Sequence, residues 1–154
     1  MAIKRIVVPI DFSKDSRDAL AYATEFAAAF GAEVALLHVV EPIYSAAPAD
    51  MYTANANVAA LLEQQGRVAE TQLRRIAAGV EKKGRRVRTA IKTGAAAKVI
   101  VDSAKKDRAD LIIMATHGRT GLAHMFMGSV AEKVVRGAAC PVLTVRRTGS
   151  SRKR

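Results

Sequence analysis

The chain reads as short apolar runs separated by longer stretches in which apolar residues return every three or four positions. Ile3 to Ile10, Glu33 to Val40 and Asp110 to Ala115 are nearly unbroken runs rich in Ile, Val and Leu. A strand covered on both faces has no wet side, so continuous hydrophobicity marks it. Pro9 cannot donate to a ladder, which predicts that the first strand loosens there. Arg86 to Thr93 alternates basic and apolar residues, as an outer strand with one wet face does. Pro141 to Val145 predicts a short last strand.

Four helices fill the intervals. Ala19, Ala23, Phe26, Ala27 and Phe30 recur at helical spacing, behind Ser13 or Ser16 as a cap and ahead of Gly31. Val58 to Lys83 carries Leu61, Leu62, Val68, Leu73, Ile76 and Val80, and Gly84 closes it. Ala95 to Lys106 follows the turn at Gly94, and Val130 to Arg136 precedes Gly137. From Glu41 to about Asn57 periodicity dissolves among prolines, alanines, asparagines, Tyr44 and Tyr52, and a connection that long is expected to be a functional loop or a mobile one. Strands alternating with helices predict an α/β fold: an open five-stranded parallel sheet with helices on both faces. Such sheets bind ligands beyond the strand C-terminal ends, where strand order reverses. The strands ending at Asp11 and Ala115 are expected to flank that crevice.

At 154 residues with half of them apolar, one domain over residues 1–147 is expected, followed by a basic tail over 148–154. No apolar run approaches the roughly 20 residues of a membrane span, and the start lacks a signal-peptide layout. Cys140 is the only cysteine, so the reading is a reducing compartment, the cytoplasm. The net charge of +11 gathers in two places, Lys82 to Lys92 and the tail from Arg146 to Arg154. A polyanion surface is one reading. A solvated helix end and an unstructured tail outweigh it, because neither cluster contains an aromatic residue for base stacking. Nucleic acid is thus the minor partner and a membrane is none.

The chemistry concentrates in Ala115-Thr116-His117-Gly118, nine residues, then Gly128-Ser129. Strand, glycine-bearing loop and helix is the order that sets a phosphate against N–H groups at a helix start. Gly118 permits close backbone approach, and His117 and Arg119 can reach phosphate oxygens. Ser129 with Glu132 also fits a capping box, so Ser129 serves equally as a cap. Asp11 can accept from a ribose or adenine, or cap the helix that follows. His124, Met125, Phe126 and Met127 read as packing, and Cys140 as a small buried hydrophobe. There is no P-loop, no G-x-G-x-x-G and no zinc-ligand spacing among His38, His117, His124 and Cys140, and no catalytic base stands out.

Ile6-Val7-Val8-Pro9-Ile10-Asp11-Phe12-Ser13, Leu36-Leu37-His38-Val39, and Asp110 through Val145 with Cys140-Pro141-Val142 together resemble the universal stress protein family, over nearly the whole chain. The ATP-binding branch carries Gly-x-x-Gly, nine residues, Gly-Ser/Thr; here the first glycine is Ala115 and the rest matches. Ala96 also stands where the family often has proline. The resemblance implies a Rossmann-like fold of the adenine nucleotide alpha hydrolase kind. It implies that Asp11 and Val39 contact ribose and adenine while Pro9 shapes the adenine wall. Ala115, His117, Gly118 and Arg119 would lie along the phosphates, with Gly128, Ser129 and Val130 closing the site. ATP, with Mg2+ held by its phosphates, is the implied cofactor. A homodimer through Val142 to Val145 is implied too, together with an unidentified protein partner. The expected role is a nucleotide-responsive regulator or adaptor in the stress response; the alternatives are an ATP-independent dimer acting through partners and a slow ATPase.

Overall fold

The computed structural model describes residues 2–42, 54–117 and 127–146. Its elements are β1 (Arg5–Pro9), α1 (Lys14–Phe30), β2 (Glu33–Val40), α2 (Ala54–Glu81), β3 (Val87–Thr93), α3 (Ala96–Lys106), β4 (Leu111–Ala115), α4 (Ser129–Gly137) and β5 (Val142–Val145). All neighbouring strands are parallel, in the order β3-β2-β1-β4-β5. The expected five-stranded α/β sheet is present, with the basic strand β3 at one edge.

Most boundaries shift by a residue or two from the sequence pattern, and two of the shifts bear on how the elements are held. The second helix begins at Ala54, four residues before Val58, and so takes in Asn55 and Asn57. Extending an existing helix fixes one residue per hydrogen bond, whereas nucleation fixes several, so weak helix formers are absorbed at an end. Gly137 is the last residue of α4, not its stop, and Ala138 caps the helix. The segment 43–53, with Tyr44 and Tyr52, and the tail from residue 147 lie outside the described residues.

Alternate strand residues enter two separate cores. Ile6, Val8, Val34, Leu36 and Ile113 pack under α1 and α2, while Val7, Ala35, Leu37, Ile112 and Met114 pack under α3 and α4. That double covering is why β1, β2 and β4 carry apolar residues at successive positions. α1 approaches through Ala19, Leu20, Ala23 and Ala27. On α2 the buried line is Ala69, Leu73, Ala77 and Val80, so Leu61 and Val68 point to solvent despite their helical spacing.

The sheet opens where strand order reverses, between β1 and β4. Their register is recorded at Ile6↔Leu111 and Val7↔Ile112 only. β1–β2 continues to Pro9↔Leu37 and β4–β5 to Ala115↔Val145. The Lys4 carbonyl accepts from Glu33 and the Ile10 N–H donates to the Leu37 carbonyl, so even-numbered residues of this strand face β2. Position 9 therefore faces β4, and proline has no N–H to give there. The missing donor coincides with the split.

Leu73→Ala, at a site with no exposure, should cost about 2–5 kcal/mol in urea denaturation. Leu61→Ala, half-exposed on the same helix, should cost under about 1 kcal/mol. Equal losses would mean that α2 docks by a different face.

Candidate functional site

The crevice lies at the strand C-terminal ends, between Asp11 after β1 and Ala115 at the end of β4. Asp11 is half-buried, and its Oδ1 accepts the Ser13 N–H at 3.0 Å. Burial pushes its carboxyl pKa up. Hydrogen bonds from the Ser13 and Ser16 hydroxyls and the Ser13 N–H outweigh that and leave it below the usual aspartate value. Asp11 is thus an ionised acceptor at neutral pH. Asp11 braces the turn through the Ser13 N–H and is not the cap of α1: Ser13 takes that place by accepting the Ser16 N–H at 3.1 Å.

Phe12 turns the chain with φ +65°, a left-handed conformation that costs a non-glycine residue about 1 kcal/mol or more. Its ring packs on His38 with centroids 4.5 Å apart. His38, buried in β2, donates Nδ1–H to the Ile10 carbonyl at 2.6 Å. This histidine therefore fastens the strand exit on which Asp11 sits. The sequence reading gave it no such role; the available signal was one polar residue inside an apolar strand.

Val39 lies on β2 two residues beyond Leu37, the last that pairs with β1. Leu37 turns its backbone carbonyl toward β1, and alternation turns the N–H and C=O of Val39 the same way, toward the space β1 has left. A peptide donor and acceptor side by side complement the edge of a planar base.

Ala115 pairs with Val145 and lies outside the left-handed region. An alanine therefore sits here without backbone strain. The Thr116 N–H bonds the Val145 carbonyl at 3.0 Å, and its hydroxyl lies 2.9 Å from His117 Nδ1. Gly118 and Arg119 fall outside the described residues, as do His124, Met125 and Phe126.

Gly128, not Ser129, is the N-cap of α4, and no side chain caps it. The reason is tertiary: the Gly128 N–H donates to the Thr116 carbonyl at 2.8 Å, which docks the helix start on the end of β4. A Cβ at 128 would stand 3.0 Å from that carbonyl oxygen, so any side chain forces the two apart. Ser129 is then the first helical residue, and with Val130 it presents N–H groups that have no partner within the helix. Glu132 is turned to Arg136 at 3.1 Å, so its charge is partly offset.

The other helix starts at this end differ. α1 has Ser13. On α3 the Ala96 N–H donates to the Glu41 carboxylate at 2.8 Å, a bond that proline at 96 could not make. Among the described residues, of α1, α3 and α4 only α4 has a start without a side-chain cap. Among the described residues no cluster of His, Cys, Asp or Glu could hold a metal. Burial raises the Cys140 thiol pKa, which suits a packing residue and not a nucleophile.

A hollow of about 410 Å³ lies between α2 and β3, away from the switch point. Its Glu63 and Arg67 are already paired at 3.1 Å, as is Glu70 with Arg74 at 2.7 Å, so no unpaired charge converges there. The crevice at Asp11 is the better site on chemistry.

The model of the universal stress protein family matches residues 2–146. Universal stress protein MJ0531 of Methanocaldococcus jannaschii is 37% identical over 145 residues, covering 94% of this chain and 82% of its own. The solved structure of MJ0577, from the same organism, superposes with a TM-score of 0.85 at 30% identity, covering 97% of this chain and all of that one. A universal stress protein solved in complex with cAMP shares the fold at 24% identity and a TM-score of 0.71, covering 96% of this chain and 100% of its own.

The Asp11 carboxyl pKa is lowered in the folded state, so its contribution to stability is complete above the unfolded value near 3.9. That contribution disappears as pH falls through the lower folded value. Asp110 has the same sign, held down by the Lys4 and Arg5 N–H groups. In urea titrations from pH 6 to pH 2.5, Asp11→Asn should lose stability less steeply than the wild type while keeping the Asp110 share. Identical slopes would show that the turn does not hold the charge of Asp11.

Proposed function

This chain belongs to the universal stress protein family, and we propose that it binds ATP at the β1/β4 switch point and acts as a nucleotide-responsive regulator or adaptor. The observation that carries the reading is the contrast between helix starts. A side chain occupies those of α1 and α3, while among the described residues the α4 start has no side-chain cap, and it docks on the end of β4, the strand beside the one that Asp11 follows. An uncapped helix start suits phosphate through its N–H groups and the positive end of its dipole.

Each part of ATP finds a matching partner. Ser129 and Val130 N–H groups take phosphate oxygens, with His117, Gly118 and Arg119 in the connecting segment. Asp11, an anion, would repel phosphate but accepts from ribose hydroxyls. The backbone of Val39 reads the adenine edge beside Pro9. Gly128 provides the close docking of helix on strand, and Ala115 costs no backbone strain. Mg2+ on such a ligand would be held by the phosphates. ATP supplies a bound charge and a bulky group that can alter a partner surface; no proton-transfer step is needed for that role, and Asp11 sits on the sugar side.

The supporting assembly is a homodimer through β5. Pro141 and Val145 turn their carbonyls toward β4, so Val142 and Thr144 present their N–H groups outward at an open sheet edge.

Calorimetric titration of nucleotide-stripped protein with Mg-ATP should give micromolar binding. Asp11→Ala, if folded, should weaken it about 10-fold or more, roughly 1.4 kcal/mol. Full affinity in that variant would remove Asp11 from the site. Absence of binding to the folded wild type would favour the ATP-independent dimer.

Thr144→Pro removes an outward donor and leaves the β4 ladder intact, so in light scattering it should shift the mass from dimer to monomer. A dimer of unchanged stability would place the interface elsewhere.

A further inference from the structure

At the opposite end of the sheet, where helices feed into strands, the topology gathers positive charge from segments far apart in sequence. Lys4 and Arg5 open β1. Lys82, Lys83, Arg85 and Arg86 connect α2 to β3, Lys105 and Lys106 end α3, and Arg108 lies between α3 and β4. The nearby acids are mostly engaged. Glu33 and Asp107 both bind Arg88, at 2.9 and 3.0 Å, and Asp110 accepts the N–H groups of Lys4 and Arg5 at 2.8 and 2.9 Å. Among the described residues Lys82, Lys83, Lys105 and Lys106 make no ion pair.

Aromatic rings absent from these clusters in the sequence are supplied by α1. Phe30, its last residue, is 51% exposed at this same end and packs on Phe26 with centroids 6.0 Å apart. Tyr22, also 51% exposed, continues the line along the helix at i, i+4, i+8 spacing. The Arg86 guanidinium donates to the Gly31 carbonyl at 3.3 Å and so ties the basic α2–β3 connection to the end of α1 that carries Phe30.

From this juxtaposition we propose that the basal end of the sheet, opposite the nucleotide crevice, binds single-stranded nucleic acid. Its phosphates run across the basic connections and an unpaired base stacks on Phe30. Charge alone would equally suit a duplex or an anionic bilayer. An exposed ring favours bases that are free to stack. A bilayer is met by a broad apolar helix face, whereas the rings of α1 form a narrow line that ends beside charges.

The test is fluorescence anisotropy of labelled 15-nucleotide oligo(U) and oligo(dT) with the full chain, in 50–200 mM KCl. With about four phosphates contacted, log K should fall with log salt at a slope near −3. Lys82→Glu/Lys83→Glu and Lys105→Glu/Lys106→Glu should each weaken binding about 10-fold or more. Phe30→Ala should weaken it about 5-fold or more, since its ring is exposed and its loss leaves the fold intact. Lys14→Glu/Lys98→Glu makes the same charge change at the crevice end and should have little effect. Binding of either oligonucleotide with this pattern supports the proposal. It is overturned by no binding at 50 mM KCl, by equal weakening in the crevice-end variant, or by indifference to Phe30→Ala. Displacement by saturating Mg-ATP, or tighter binding to a duplex or to phosphatidylglycerol vesicles, also overturns it.

Discussion

In a parallel sheet buried on both faces, every backbone donor and acceptor needs a ladder partner, because no water reaches it. A strand leaves such a sheet at lower cost where it has no N–H left to donate. Pro9 meets that condition on the side facing β4. The flanking strands can continue because their outer neighbours hold them, β2 through Val40↔Thr93 and β4 through Ala115↔Val145. The gap that remains is bounded by rigid backbone on both sides. His38 then fixes the departing chain through the Ile10 carbonyl, and Phe12 takes the strained turn that delivers Asp11 to the rim.

Electrostatics divides this crevice into two halves. Asp11 stays ionised because serine hydroxyls and an N–H compensate its burial, so its side of the gap favours donors. The α4 start favours acceptors, since Gly128 has no side chain with which to satisfy it and Glu132 is directed to Arg136. A ligand that is donor-rich at one end and anionic at the other fits that gradient in one orientation. For the nucleotide proposed above, placing the sugar toward Asp11 and the phosphate toward α4 avoids setting like charges together.

The sequence pattern made much of this legible, and its failures share a cause. Glu33–Val40 was readable to the residue, because continuous burial leaves a continuous apolar signature. The pairing of Asp11 with Ala115 followed from topology rules alone. What local pattern missed was set by contacts across the chain. Ser129 has capping-box spacing, yet the bond from Gly128 to Thr116 moves the cap one residue earlier. Glu41 caps α3 from 55 residues away, which no spacing rule detects. Phe30 is nowhere near a basic run in sequence and reaches one only because α1 and the α2–β3 connection end together.

That last juxtaposition has a plainer competitor. Helix C-termini gather at the basal end, and basic residues there complement the partial negative charge of unpaired carbonyls. The dipole accounts well for Lys105 and Lys106 in the last turn of α3, and for Arg136 in that of α4. It does not account for Lys4 and Arg5, which open a strand. Nor does it explain α1, which has no basic residue in its last turn and ends instead on an exposed phenylalanine. If helix ends alone shaped this surface, α1 would be expected to carry a charge where it carries a ring. The surplus beyond the dipole is therefore the part that calls for a ligand, and a flexible, stackable polyanion matches both of its components.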